Sequence, residues 1–151
     1  MECRAYEVQV PWSRYYVAAC RGANADDRLI SETSRSLGLS AVVLRLRDEP
    51  DPCQAALYYM YAAEDYAMGE GRLREPSLRA LLYATRSRQV SEAIRLSRGG
   101  DVVLVVSYDR QKAEEAIRQL GLEPPEGFAK AACSPDGVSA LASFRLGLLI
   151  K

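Results

Sequence analysis

The chain has 151 residues, 48% of them hydrophobic, with twenty basic and twenty acidic side chains and no histidine. That length and apolar content suit one globular domain over residues 1–151 and exclude a disordered or fibrous chain. The missing histidine removes the commonest general base, the commonest metal ligand and the usual partner of serine and cysteine nucleophiles, which argues against ordinary hydrolytic or zinc chemistry.

At the N-terminus, CRAYEVQV and SRYYVAAC flank Pro11 and Trp12 like the strands of a hairpin. A two-residue turn sets Val10 against Ser13, Val8 against Tyr15, Tyr6 against Val17 and Cys3 against Cys20, a register that collects an apolar face. Next, ANADDRLISETSRSLGL offers Asn24 or Asp26 as a helix cap, Leu29, Ile30 and Leu37 as an apolar stripe, and Gly38 as a stop. AVVLRLR reads as a third strand.

DEPDP ends that strand and starts a helix in which Ala56, Leu57, Tyr59, Met60, Ala63 and Tyr66 recur at helical spacing, and GEGRLREP breaks it. SLRALLYATRS reads as a helix with Leu78, Leu81 and Leu82 inward. Another runs from about Arg88 to Ser97, with Val90, Ala93 and Ile94 on one face and Ser87 or Thr85 as its cap. DVVLVVSY has the continuous apolar character of a buried central strand, and Asp109 caps RQKAEEAIRQLG. EPPEGFAKAACSPDG reads as irregular, and Pro135 with Asp136 introduces a last helix carrying Val138, Leu141, Phe144, Leu146, Leu148 and Leu149. The expected fold is α+β (mixed α/β): one sheet of three to five strands, including the N-terminal hairpin, packed with about five helices.

No stretch joins a basic start to an apolar core and a small-residue cleavage site. The charge-free run from Pro52 to Ala63 falls far short of the roughly 20 residues of a membrane helix, so the expected setting is the cytoplasm, with no membrane contact. The four cysteines (Cys3, Cys20, Cys53, Cys133) form no C-x-x-C pair, which leaves no zinc knuckle or thioredoxin-like motif. They read as buried apolar residues or free thiols. Cys3 and Cys20 are placed to bridge, but a cytosolic setting favours the reduced pair unless the source is hyperthermophilic. Asp26 with Asp27, and Asp48, Glu49 and Asp51, are the carboxylates an enzyme reading would draw on, and they read as caps and solvated turns. The expectation is therefore no enzyme, no catalytic set, no cofactor and no metal.

The balanced total charge hides an uneven distribution. Residues 72–98 hold seven arginines (72, 74, 79, 86, 88, 95 and 98) against only Glu75 and Glu92. Such a strip attracts phosphate, and the turn at 84–88 adds the free N–H groups of a helix N-terminus. Arginine suits bidentate phosphate contacts, and Tyr83 beside it offers a stacking surface for an unpaired base. The competing reading is a solvated face whose arginines pair with acids elsewhere.

Within this strip, LRALLYATRSRQVSEAI (78–94) resembles the signature of the small kinase-binding subunit of the KEOPS (EKC) complex, with Arg88, Gln89, Val90, Ser91, Glu92, Ala93 and Ile94 filling its second half. The order of elements agrees over most of the chain. The family often carries a glycine where Arg86 stands and a glutamate where Arg79 stands.

The resemblance implies a non-catalytic regulatory subunit that binds the kinase-like ATPase of the complex and the single-stranded 3′ CCA end of tRNA, in support of threonylcarbamoyl-adenosine formation. On that reading Arg86 and Arg88 contact phosphates, Gln89 reaches a base edge and Val90 touches a terminal base. Arg95, Arg72 and Arg74 extend the track. Gln89 and Val90 serve equally well as structural residues, Val90 as core. The last helix, VSALASFRLGLLI, is apolar on too many sides for a simple surface helix. It offers Leu141, Phe144, Leu148 and Ile150 as anchors for the kinase-like partner, or else completes the core. The rival from another class is a protein-only adaptor or activator that never contacts RNA.

Overall fold

The computed structural model describes residues 2–10, 13–21, 26–69 and 75–150. The Pro11–Trp12 turn, the alternative cap Asn24, and Arg72 and Arg74 lie outside the described residues. Among them, five strands and six helices follow one another as β1 (Glu2–Val10), β2 (Ser13–Arg21), α1 (Asp27–Leu37), β3 (Ala41–Leu46), α2 (Pro52–Ala67), α3 (Pro76–Thr85), α4 (Val90–Ser97), β4 (Val102–Ser107), α5 (Arg110–Gln119), β5 (Ala129–Ala132) and α6 (Pro135–Leu149). The fold is α+β, one mixed sheet in the order β3-β4-β2-β1-β5.

The side-chain period of two in a strand explains the layers. In β4 every residue is buried, and its alternate positions feed opposite faces. Val102, Leu104 and Val106 pack with Val8, Val17, Leu57, Leu82 and Tyr83 under α2 and α3. Val103 and Val105 pack with Ala18, Ile30, Leu37, Ala113 and Ile117 under α1 and α5. A continuous apolar run is what a strand covered on both faces requires.

The hairpin register is the expected one, including Val10↔Ser13, Tyr6↔Val17 and Cys3↔Cys20. Asp26 caps α1 by accepting from the Leu29 N–H, Asp109 caps α5 through the Gln111 N–H, and Gly38 ends α1 at φ 56°. The edge of β3 is covered by α3, where Ser77 Oγ accepts from the Val43 N–H at 3.0 Å. That contact satisfies a donor which an open sheet edge would leave unpaired.

Three expectations are corrected. The segment read as irregular contains β5, which pairs in parallel with β1 over Tyr6↔Ala129 to Gln9↔Ala132; its four residues draw their strand character from β1 rather than from their own pattern. Neither Ser87 nor Thr85 caps α4: Thr85 Oγ1 donates to the Leu81 carbonyl and accepts from the Ser87 hydroxyl, and Gln89 stands at the N-cap with no side-chain capping bond. All four cysteines are paired rather than free, as Cys3–Cys20 and Cys53–Cys133. The second pair, 80 residues apart in sequence, joins the start of α2 to the segment between β5 and α6.

No helix among the described residues is long and apolar enough to cross a membrane. Two disulfides weigh against a reducing compartment, the interior of hyperthermophiles being the exception.

Loop-closure entropy ranks the two bridges. The 17-residue separation within the hairpin is worth about 3 kcal/mol and the 80-residue separation about 4.5 kcal/mol. Chemical denaturation of Cys3→Ala/Cys20→Ala and of Cys53→Ala/Cys133→Ala is expected to show the larger loss in the second double variant; a larger loss in the first would contradict the ranking.

Candidate nucleic-acid and partner interface

Asp65 in α2 is fully buried, so its carboxyl needs partners. It accepts from Arg79 Nε of α3 at 2.8 Å, from Arg145 Nε and Nη2 of α6 at 3.2 and 2.9 Å, and from the Tyr83 hydroxyl through a short hydrogen bond. Arg145 also pairs with Glu64 at 2.8 Å and lies over the Tyr61 ring. Burial alone pulls the Arg145 guanidinium down, yet Asp65, Tyr83 and Glu64 together hold it above its ordinary pKa. One carboxylate thus ties α2, α3 and α6 together.

This knot removes two residues from the expected basic and aromatic surface. Arg79 belongs to the ion pair with Asp65 and is largely buried. Tyr83 is fully buried, 0% exposed, and cannot stack on a base. Its ring packs edge-on against Phe144 of α6, and burial together with the bond to Asp65 pushes its hydroxyl well above the usual phenol range, so it stays a protonated donor. Helical spacing puts Tyr83 on the inward face with Leu82, a fact that adjacency to the arginines in sequence conceals.

Just beyond Tyr83, α3 ends with Arg86 in the left-handed region, φ 55° and ψ 38°. The Arg86 N–H donates to the Tyr83 carbonyl and the Ser87 N–H to the Leu82 carbonyl, closing the helix as a C-terminal αL turn does. A glycine would adopt this conformation without strain. The turn throws the exposed Arg86 toward α6, where its guanidinium lies 5.7 Å from the Phe144 ring centroid and Nη2 donates to Gln54 Oε1 at 3.4 Å.

Arg88 is exposed too, its guanidinium lying against Gly147 of α6, and it makes no ion pair or hydrogen bond among the described residues. Gln89 is exposed at the uncapped N-terminus of α4, which leaves first-turn N–H groups open to an anion. Val90, beside it, is partly buried against the core. Arg95 is exposed but engaged with Glu92, Nη2 to Oε1 at 2.5 Å; that hydrogen bond holds the Glu92 carboxyl below its ordinary value and raises Arg95. The arginine strip is therefore not continuous: Arg86 and Arg88 meet at α6, while Arg79 and Arg95 are spent on acids.

Beside Arg86 opens a cleft of about 490 Å³ between α2 and the start of α6, lined by Asp51, Gln54, Tyr58, Arg86, Ser134 and Gly137 among others. Gln54 Nε2 donates to the Gly137 carbonyl at 2.8 Å, and Ser134 Oγ accepts from the Gly137 N–H. Tyr58 is only 6% exposed, and its hydroxyl has no hydrogen-bond partner among the described residues. Burial raises its pKa; Arg86 pulls the other way and Asp51 adds to the rise. The cleft thus offers a phenol donor, an amide, a hydroxyl and a guanidinium. Its residues on α2, at 51, 54 and 58, share a face that the apolar count on that helix overlooks, because only the spacing of polar residues marks it.

Helix α6 is apolar, yet Leu141 is its one fully buried residue. That burial corrects the expectation of Leu141 as a partner anchor: it fills the core. Phe144 and Leu148 are half-buried against the core, whereas Leu146 and Ile150 are 62% and 70% exposed. Leu146 stood in the helix pattern without being read as an anchor, and its exposure shows only once Leu141 fixes which side faces inward.

No group of three or more His, Cys, Asp or Glu among the described residues is placed to hold a metal ion. Removing the hydroxyl that donates to Asp65, in Tyr83→Phe, is expected to cost about 1–3 kcal/mol in denaturant unfolding while leaving any ligand of the exposed arginines bound as tightly as before. A stability-neutral Tyr83→Phe would contradict the role of the knot.

No protein-family model, curated protein or solved structure matches this chain.

Proposed function

We propose that the chain is a non-catalytic adaptor that receives the single-stranded 3′ CCA end of tRNA on the 86–90 turn and docks the kinase-like ATPase of a KEOPS-type complex through α6. The observation that carries this reading is Arg88, exposed and uncommitted to any acid among the described residues, beside Arg86 and the uncapped start of α4. A single-stranded tail is held by phosphate neutralisation together with contacts to splayed bases. Arg86 and Arg88 supply the first, and the Tyr58, Gln54 and Ser134 cleft supplies hydrogen-bonding groups for the second. Gln89 stands at the mouth of the same turn. Arg95 contributes only by giving up Glu92, and Val90 contributes as packing. A hot intracellular habitat reconciles a cytoplasmic setting with two disulfides.

The αL geometry of Arg86 also fits the resemblance, since a position where relatives often carry glycine is one where glycine suits the backbone. The exposed Leu146 and Ile150 on α6 favour protein contact, because a surface helix with outward aliphatic side chains gains by being covered. If that contact is the whole function, the chain is a protein-only adaptor, and the arginines then face an acidic partner.

Fluorescence anisotropy with intact tRNA and with tRNA trimmed of its CCA end separates the readings. Arg88→Glu is expected to weaken binding of intact tRNA by at least about tenfold at low salt, with the trimmed tRNA bound no better than the variant binds the intact one. Equal affinity of the wild type for both tRNAs would rule out tail recognition. In parallel, Leu146→Glu/Ile150→Glu is expected to abolish capture of the kinase-like partner with unfolding unchanged, whereas Leu141→Ala costs about 2–5 kcal/mol of stability; loss of capture in neither variant would rule out α6 as the docking surface.

A further inference from the structure

The two bridges differ in what else holds the residues they join. Cys3 and Cys20 sit opposite each other inside a hairpin paired continuously from Glu2↔Arg21 to Val10↔Ser13, so the strands remain in register without the bond. Cys53 and Cys133 join elements with little other attachment on one side. β5 is four residues long with mostly exposed side chains and is held by its pairing with β1, α6 buries only Leu141, and the polar ties of α6 to the domain are Gln54 to Gly137 at the start and Arg145 to Glu64 and Asp65 further on.

The bridge also joins the two walls of the cleft from behind, its cysteines packed on the core side. Cys53 lies between the cleft residues Asp51 and Gln54, and Cys133 lies between Ala132 and Ser134, which line its opposite wall. Whatever sets the Cys53–Cys133 separation therefore sets the width of the cleft and the approach of the first turn of α6 to Gln54. The bond is reachable from one side, since Cys53 is 2% exposed while Cys133 is only partly buried.

From this we propose that the Cys53–Cys133 disulfide is a redox-controlled tie for the binding face, closed in the oxidised protein and opened by a dithiol reductant. A reductant thiolate attacks Cys133 Sγ, forming a mixed disulfide and releasing the Cys53 thiolate, which takes up a proton. The second thiol of the reductant then attacks the mixed disulfide and frees Cys133 as a thiol. The protein gains two electrons and two protons, and the reductant leaves as its own disulfide. Opening releases the first turns of α6 from α2, while pairing with β1 holds β5 and the Asp65 knot keeps the Arg145 end in place. The proposal concerns the cleft and its two walls and does not depend on which ligand the cleft takes.

The test uses Cys3→Ala/Cys20→Ala, in which one bridge remains, followed by hydrogen exchange with and without dithiothreitol and again after reoxidation. In the reduced protein, residues 133–140 are expected to exchange at least about tenfold faster than in the oxidised one and through openings less costly than global unfolding, whereas β4 exchanges only as fast as global unfolding, itself eased by loss of the bridge, allows; the pattern is expected to reverse on reoxidation. A bond that resists dithiothreitol in the folded protein, unchanged exchange over 133–140, or exchange there no faster than global unfolding allows would each overturn the proposal. The last outcome would make the bridge a general stabiliser of the domain. Cys53→Ser/Cys133→Ser on the same background is expected to reproduce the reduced pattern without reductant, and a pattern like that of the oxidised protein would equally overturn it.

Discussion

The buried carboxylate of Asp65 is the constraint on which the packing of α2, α3 and α6 depends. A lone ion in the interior is costly, and it becomes tolerable only when charge-assisted hydrogen bonds fill its acceptor sites. Here two guanidinium groups and a phenol do so, Arg79 and Tyr83 from α3 and Arg145 from α6, and the buried polar side-chain atoms among the described residues all have partners. Because breaking one arm strands the rest, typically at a cost of about 3–5 kcal/mol for a buried pair, the three helices are held in one arrangement. Hydrophobic packing of Tyr83 on Phe144 and Tyr61 follows from that arrangement and adds aromatic contacts around it.

The consequences reach the surface within a few residues. Tyr83 is drawn inward, α3 ends one turn later, and the αL residue Arg86 swings its side chain onto α6 rather than along its own helix. Arg88 follows onto Gly147, where the missing side chain leaves room for the guanidinium. Two cations thus meet an apolar helix and a polar cleft, while the other described arginines of the basic segment with acids in reach are neutralised locally. Net charge by segment describes none of this, because an ion pair such as Arg79 with Asp65 cancels across a sequence separation that segment counting ignores.

Local signals made most of the architecture legible in the sequence. The two-residue spacing between the hairpin strands marked the register down to Cys3↔Cys20, the unbroken apolar run of β4 announced a strand buried on both faces, and Asp26, Asp109 and Gly38 marked helix ends through their own chemistry. What escaped was set by distant partners. β5 is a strand because β1 is beside it, Tyr83 is buried because Asp65 accepts the hydrogen bond of its hydroxyl, Leu141 is core because α2 and α3 receive it, and Cys53 meets Cys133 only after the whole domain has closed. The cleft residues Gln54, Tyr58 and Ser134 escaped for the same reason, as none is unusual until the fold brings them together.

The most direct measurement of the central claim is to titrate the isotope-labelled protein with a short single-stranded RNA ending in CCA and map the perturbed amides by NMR. Shifts are expected to concentrate on residues 84–90, the start of α6 and the α2 positions near Gln54 and Tyr58, and to weaken when the terminal CCA is replaced by UUU. Shifts spread over the α1 and α5 face, or a pattern indifferent to the terminal sequence, would contradict it.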